Sequence, residues 1–553
     1  MSSISLTREV FHAHPPRRQA LMAVWHAAEM MIARPPLPGS PDLHRDRRDH
    51  DLEQATRSVS DVLVIGGGIT GSGIALDAAS RGLSVTLVES RDLAYGTSRW
   101  SSKLIHGGLR YLAHGDVHVA WESARERHHL MTRIAPHLIR PLPHVLVHPR
   151  NQSRARNAVL RVGLGGADAM RRLAGTRRET LPGARNLSAD AVMGLLPAID
   201  RQRINGGVGY WDGQLIDDAR LVISVARTAA AYGARIMTRM TATDVSRDEV
   251  VVRDSLSGQT HHLRARHVIL AVGIWSGNWD RDLPIRLSRG THVLLAPAAL
   301  GNPRVALTVA AAEGKSRYVF ALPQPIGPII AGLTDVPADD ASPDDTRPPQ
   351  SDVDWVLDHL STVLGHRLMP HDVVGAYSGY RPLVESPSHG VRSTHTSTAD
   401  ISRRHLVFRR SDGTTIVTGG KLTTYRKMAA DAIDSLHLPV GSSRTATVGL
   451  VGSHPLIADG DPRLRLRYGS EAQRIANLAG EWNLPAQIPG TGGVYAAEIA
   501  HAIRHEGALT VDDIIQRRIR LSAEPDLLRS ARPAISQLAR ALDPHIEVDE
   551  VDP

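Results

Sequence analysis

No cysteine occurs among the 553 residues. That excludes disulfides, thiolate zinc sites, iron–sulfur clusters and a thiol nucleophile together. Any electrons this chain moves must therefore travel on a bound organic cofactor. Nowhere do eighteen apolar residues run without interruption, so no membrane-spanning helix is expected. Lysine is also scarce. Of 65 basic residues only Lys103, Lys315, Lys421 and Lys427 are lysine, the rest being arginine. A lysine kept against such a bias is a candidate for chemistry, because its compact ammonium differs from a planar guanidinium. What is present is ordinary for a folded protein: 42% apolar and 22% charged residues, which rules out wholesale disorder. The length allows two to four domains, and the net charge of +8 favours anionic partners without naming one.

Residues 1–57 read as a mostly disordered extension with one short helix. Pro15-Pro16, Pro35-Pro36, Pro38 and Pro41 break it, and His44 to Asp51 is almost entirely charged. A secretory leader is not expected, since the apolar stretch from Ala20 to Ala33 carries His26 and Glu29. At Asp61 the texture changes. The short apolar run Asp61–Ile65 predicts a buried parallel strand, a small-residue helix follows to Arg81, and Val85–Val88 gives a second strand ending at Glu89. Further strands are expected at Val268–Val272 and Thr415–Thr418, and helices at Asp217–Tyr232 and Thr424–Ser435. Residues 441–452 lose periodicity and read as a linker, and 453–553 as a helical domain.

Gly66-Gly67-Gly68-Ile69-Thr70-Gly71 is a G-x-G-x-x-G in the strand–turn–helix setting that dinucleotide binding requires. The first glycine permits the tight turn, the second lets the backbone approach a pyrophosphate, and the third lets helix and strand pack closely. The helix amides and dipole hold the anion. Glu89, about 20 residues on, is the ribose-binding acid, and an acid there suits FAD or NAD rather than NADP. The segment from Gly96 to Tyr111 is small, hydroxylated and glycine-rich, fit for close approach to a flat ring and a diphosphate. It delivers Lys103, His106, Arg110 and Tyr111. Late in the chain, Thr418-Gly419-Gly420-Lys421-Leu422-Thr423-Thr424-Tyr425-Arg426 sets an ammonium at a helix start where the threonines can cap the first amides. Such a terminus suits negative charge on a reduced isoalloxazine.

Five segments, in order and at close to family spacing, resemble FAD-dependent glycerol-3-phosphate dehydrogenase. They are the glycine fingerprint, Ser101 to Tyr111, Asp212-Gly213-Gln214-Leu215-Ile216-Asp217-Asp218-Ala219-Arg220-Leu221, Tyr377-Ser378-Gly379-Tyr380-Arg381-Pro382-Leu383, and Gly419 to Arg426. Glu506-Gly507-Ala508-Leu509 and Asp512 to Arg518 match the bacterial members too. The resemblance implies an α/β fold: a Rossmann-like FAD domain of the glutathione-reductase type, interleaved with a mixed-sheet substrate domain and followed by a small helical domain. The oxidoreductase region would span 58–440, with FAD segments at about 58–115, 205–285 and 400–440 and substrate segments at about 116–204 and 286–399.

The activity it implies is oxidation of sn-glycerol 3-phosphate to dihydroxyacetone phosphate by hydride transfer to FAD, with electrons passed to a membrane quinone. Residues expected at the cofactor are Ile65, Gly66, Gly68, Ile69, Thr70, Gly71, Glu89, Ser90, Gly96, Thr97, Ser98, Ser102, Lys103, Leu104, Ile105, Ala271, Gly273, Gly420, Lys421, Leu422 and Thr423. Arg381 and Arg403 match the family's substrate-binding arginines. Arg110, Tyr111 and Lys421 match positions around the substrate, and Arg317 is a further candidate. For the base that takes the C2 hydroxyl proton the choice is His106, since an imidazole titrates near the working pH. No metal is expected.

The chain departs from the family at Ala271-Val272-Gly273, at Gly332-Leu333-Thr334-Asp335 and at Pro323-Gln324, which removes hydroxyls and an indole near the expected walls. Arg150 to Arg185 is a basic amphipathic stretch suited to an anionic bilayer surface, so the expected location is cytoplasmic, peripheral on the inner face of the cell membrane. A homodimer is compatible with the sequence. Two rival readings are an oxidase of the same fold that reduces oxygen, and a non-catalytic flavin-bearing scaffold that binds nucleic acid. Keeping His106, Arg110, Arg381 and Lys421 together speaks against the scaffold, and no nucleic-acid partner is expected.

Overall fold

The computed structural model describes residues 36–548 apart from 109–115, 151–153, 282, 284, 312–317, 340–341, 343, 385–403 and 456–459, and of 154–162 only the backbone. Arg110, Tyr111, Arg317 and Arg403 therefore lie outside the described residues.

Helix α1 (Arg45–Arg57) leads into strand β1 (Val59–Ile65), helix α2 (Ile69–Ser80) and strand β2 (Val85–Val88). Residues 62–65 of β1 are all buried, as expected of a parallel strand covered on both faces. β1 sits centrally. It pairs in parallel with β2 on one side and with Thr260–Leu270 on the other, and Thr415–Gly419 pairs in parallel beyond that. A hairpin, Met240–Val245 with Glu249–Asp254, extends the sheet from the Thr260–Leu270 strand. α2 is built almost entirely of small residues, which lets it pack closely on the helices Asp218–Ala231 and Tyr425–Asp434. At Gly73 the fit is so close that a Cβ would lie 2.8 Å from the Tyr425 ring.

The second sheet is mixed. Its long strands Ile139–Pro149 and Ile204–Leu215 run antiparallel, as do Ile285–Leu295 and Val373–Val384. The two-residue strand Leu104–Ile105 joins its edge against Gly213 and Gln214. The loop that leaves the first sheet thus ends in the second. Here the structure departs from the expected boundaries, because Ile204–Leu215 belongs to the mixed sheet although 205–285 was expected in the cofactor domain. The glycine-rich run that opens it, Gly206, Gly207 and Gly209, hides the alternation that marks a strand.

Residues 44–57 are not a disordered tail. Arg48 is buried between the Thr238 carbonyl (2.8 Å) and Asp254 (2.6 Å), and Leu43 bridges to Glu506 in the C-terminal domain. Within the mixed-charge run, Arg45, Arg47 and Arg48 reach carbonyls of His545, Ala230 and Thr238 in other elements. Residues 441–452 are packed as well: Ser443 and Thr445 bond Asp77, and the Leu450 amide reaches the Ile134 carbonyl at 2.9 Å. The C-terminal domain carries the helices Pro462–Tyr468, Ala472–Glu481, Ala496–His505 and Pro525–Leu542. The basic stretch includes the helix Arg154–Leu173, but Arg171 is buried, its Nε 2.8 Å from Asp168, and bonds the Thr176 carbonyl. It cannot serve an outer surface. Among the described residues no helix is long and apolar enough to cross a membrane.

Candidate active site

The glycine fingerprint does three different jobs. Gly66 has φ +113°, and a Cβ there would lie 2.5 Å from the Ala271 carbonyl oxygen. At Gly71 a Cβ would lie 1.9 Å from the Gly66 carbonyl, so this glycine is what allows α2 to meet β1. Gly68 differs from both. Its Cβ would meet only the Ser98 hydroxyl, at 3.2 Å. The protein leaves open the one position where a phosphate would approach, which fits a dinucleotide.

Gly66, Gly68, Ile65, Ile69, Thr70, Glu89, Ser90, Gly96 to Ser98, Ala271 and Gly273 line one cleft of about 320 Å³. The Ser98 hydroxyl accepts from the Ile69 amide at 3.0 Å, at the mouth of the helix. Glu89 accepts from the Gly67 amide at 2.6 Å and the Arg91 amide at 2.8 Å, and burial pushes its carboxyl above the usual carboxylate range. Tyr95 and Trp275 also wall the cleft. Neither carries a motif signal, although Gly96 is required beside Trp275, where a Cβ would meet the indole at 2.9 Å.

Ser102, Lys103, Leu104, Ile105 and Gly420 to Thr423 do not line this cleft. Ser102 hydrogen-bonds His292 Nε2 at 2.9 Å. Lys103, with φ +53°, is buried, and its ammonium donates to Asp218 at 3.3 Å beneath the Tyr377 ring. Burial holds its pKa below the usual lysine value. Lys103 is thus an internal ion-pair partner, not a group facing the dinucleotide cleft.

His106 follows the Leu104–Ile105 strand and is half-buried. The Gly107 amide after it donates to Asp212 at 3.2 Å, and Arg127 grips the same carboxylate at 2.6 Å. A Cβ at Gly107 would collide with the Arg127 guanidinium, so any other residue there would displace Arg127 from Asp212. Lys421 follows two glycines of positive φ, Gly419 at +75° and Gly420 at +72°, and its Nζ lies 3.0 Å from Ser123 Oγ. The expected threonine cap is absent: neither Lys421 nor Thr424, the residues that open the turn and the helix here, bonds an amide through its side chain. Thr423 and Thr424 are buried, and the Thr424 hydroxyl donates to the Lys421 carbonyl at 3.4 Å instead of accepting from an amide.

Arg381 lies on the strand Val373–Val384, its NH1 3.3 Å from Ser288 Oγ and 3.7 Å from Asp335. Gly290 makes room for it, since a Cβ there would lie 2.1 Å from the guanidinium and 2.6 Å from the Leu333 side chain. Leu333, one of the family departures, therefore packs beside this arginine. His292 is the residue that sequence reading missed. It is buried, stacks on Tyr377 at 4.8 Å, and its Nδ1 has no hydrogen-bond partner among the described residues. Burial, with Arg381 and Lys103 nearby, holds its imidazole well below the usual pKa and so neutral. Only an unusual run of polar side chains inside a strand, Ser288 to His292, could have pointed to it.

Comparison with known proteins agrees with this arrangement. Residues 61–426 match the family model described as FAD dependent oxidoreductase, and residues 436–548 the C-terminal domain of alpha-glycerophosphate oxidase. The chain is 45% identical over 502 residues to glycerol-3-phosphate dehydrogenase 1 of Mycobacterium tuberculosis, covering 88% of this chain and 96% of that one. It is 32% identical to a mitochondrial glycerol-3-phosphate dehydrogenase of Arabidopsis thaliana, covering 86% and 82%. In fold it is similar to the glycerol-3-phosphate dehydrogenase of Bacillus halodurans complexed with FAD, with a TM-score of 0.68 at 24% identity, over 91% of this chain and 94% of that one. A fingerprint open only at Gly68, a buried Glu89 bonded to the Gly67 amide, and relatives matched nearly end to end lead to one conclusion: the chain belongs to the FAD-dependent glycerol-3-phosphate dehydrogenase family.

Proposed function

We propose that this protein oxidises sn-glycerol 3-phosphate to dihydroxyacetone phosphate and passes the electrons to a membrane quinone. One observation carries the reading. The loop that lines the cofactor cleft at Ser98 ends at the Ser102–His292 contact, on the strand that makes room for Arg381. Bound FAD supplies the acceptor for the hydride that leaves C2. Arg381 binds the phosphate, exchanging its long contacts to Ser288 and Asp335 for a charge-assisted bond. His106 takes the C2 hydroxyl proton on a ring nitrogen, and the Asp212–Arg127 pair fixes the turn that follows it. Lys421 offsets negative charge that develops beside the ring system. Anaerobic mixing with glycerol 3-phosphate should bleach the flavin absorbance, and an unchanged spectrum would refute the proposal.

The phosphate assignment separates substrates. Arg381→Ala should raise KM strongly for glycerol 3-phosphate and change little for glycerol, which lacks the anion. Losing a charged partner of this kind typically costs about 2–5 kcal/mol. Equal effects on both substrates would make Arg381 a residue of the fold instead.

An oxygen-reducing oxidase is the second reading, favoured by the C-terminal match to alpha-glycerophosphate oxidase. It shares every substrate residue. Re-oxidation of the reduced flavin by oxygen, compared with a quinone analogue, separates the two. For the membrane, Leu173 is 74% exposed and Arg172, Arg177 and Arg178 are exposed around it. Each basic residue near an anionic surface contributes about 1 kcal/mol. Reversing these three to Glu should release the protein from anionic vesicles while turnover with a soluble dye survives. Unchanged vesicle binding would move the attachment elsewhere.

A further inference from the structure

The loop from Gly96 to Lys103 is held on its outer side by the C-terminal domain, and one side chain makes most of the contacts. Arg520 NH2 donates to the Arg99 carbonyl at 2.7 Å and lies 3.4 Å from Asp218 Oδ1. Its Nε lies 3.7 Å from Asp217, its NH1 reaches the Gln516 carbonyl at 3.0 Å, and its guanidinium covers the Trp100 ring at 5.4 Å. The other Asp218 oxygen holds the loop itself, accepting from the Ser101 amide at 3.0 Å, the Ser101 hydroxyl at 2.8 Å and the Lys103 ammonium at 3.3 Å. Tyr377 OH donates to the Ser101 carbonyl at 2.9 Å, and Ser102 is tied to His292. Asp218 thus reads the loop with one oxygen and Arg520 with the other.

Two features say that this is more than adhesion between domains. Lys103 and Arg520, the two cations that share Asp218, both adopt positive φ, +53° and +66°. An L residue holds that conformation only where its surroundings over-determine it. Arg99 donates to Gln516 at 2.6 Å although Arg517 and Arg520 stand close by, and burial together with these like charges disfavours its charged form. Arg517 and Arg520 are each offset by carboxylates, Asp92 and Asp513 for one and Asp217 and Asp218 for the other, whereas Arg99 meets the neutral amide of Gln516.

We infer that Arg520 is a positioning residue: by clamping the Arg99 carbonyl and Asp218 it fixes the Ser101–Lys103 segment, and with it the Ser102–His292 contact and the cofactor-facing Gly96–Ser98. The catalytic half of this inference rests on the glycerol 3-phosphate reading above, and the loop-ordering half does not.

The test uses the FAD-loaded full chain with Arg520→Ala, Arg520→Lys and, as control, Arg463→Ala. Arg463 is similarly sequestered, pairs with Glu498 at 2.8 Å, and does not touch the loop. Arg520→Ala should speed amide exchange in peptides spanning 97–105 roughly tenfold. It should lower kcat by up to roughly 10²-fold, as misplaced reacting groups do, with KM for glycerol 3-phosphate nearly unchanged. Arg520→Lys keeps the charge but lacks the planar fork, so both effects should persist in smaller form. Arg463→Ala should lower the melting temperature and leave exchange at 97–105 and kcat alone. The inference fails if exchange at 97–105 is unchanged in the Arg520 variants, or if Arg463→Ala causes the same loss. If Arg520→Ala does not fold, Arg520→Lys decides. Should the parent protein not oxidise glycerol 3-phosphate, the functional reading falls while the exchange result still judges the loop.

Discussion

Replacing Gly68 with valine is expected to give folded, colourless protein. A Cβ at Gly68 meets no backbone atom of the polypeptide within 4 Å, and is accommodated once the Ser98 hydroxyl, 3.2 Å away, gives by a few tenths of an ångström. What the side chain displaces is the diphosphate, which approaches the helix amides across that hydrogen atom. Gly71→Val supplies the contrast. Its Cβ would fall 1.9 Å from the backbone oxygen of Gly66, and neither partner can yield without lifting α2 off β1. Overpacking a tight site commonly costs about 1–3 kcal/mol, and a backbone collision of this depth more. The visible-to-ultraviolet absorbance ratio reports flavin occupancy, and far-ultraviolet circular dichroism reports the fold. Gly68→Val should lose the first and keep the second, with a lower melting temperature because ligand stabilisation is gone. Gly71→Val should lose both. Normal flavin content in Gly68→Val would mean that the dinucleotide binds elsewhere.

His106→Asn should abolish the acid limb of kcat/KM and slow single-turnover flavin reduction by about 10²–10⁴-fold, the usual cost of losing a general base. FAD content should stay normal. His292→Asn should slow the reaction and leave the limb in place. The distinction follows from electrostatics. A base must be neutral before it acts and must then accept a proton. Burial and the neighbouring Arg381 and Lys103 hold the His292 pKa well below the ordinary imidazole value, which keeps it neutral and makes it a poor proton acceptor. Were His292 the base, the rate would stay flat as pH falls through about 6.5 and drop only below it. Loss of the limb in His292→Asn rather than in His106→Asn would transfer the role.

The cofactor cradle was legible because glycine spacing encodes backbone approach directly, and each of Gly66, Gly68 and Gly71 has a separate steric reason. The parallel strands were legible as continuous apolar runs. Charges were not, because a sequence does not say whether a charge faces water or a partner. Hence the run from His44 to Asp51 reads as part of a disordered extension and Arg150 to Arg185 as a membrane-facing stretch, while Arg48 and Arg171 are both buried and bonded. His292 escaped for a related reason. It is one of 28 histidines, and only its neighbours Ser102, Tyr377 and Arg381, brought from distant segments, set it apart.

The order of strands in the parallel sheet also sets a timetable for synthesis. β1 leaves the ribosome early, yet its neighbour Thr260–Leu270 follows about 200 residues later, a delay of roughly 10–40 s at ordinary elongation rates. Thr415–Gly419, which ends at the turn to Lys421, comes later still. One edge of β1 pairs early with β2, but the other waits open until nearly half of the chain is made, and such non-local pairing is intrinsically slow. FAD can find a finished cradle only after Ala271 has emerged to close over Gly66. Holoprotein yield is therefore expected to depend on cofactor supply and chaperone protection in that interval as well as on final stability.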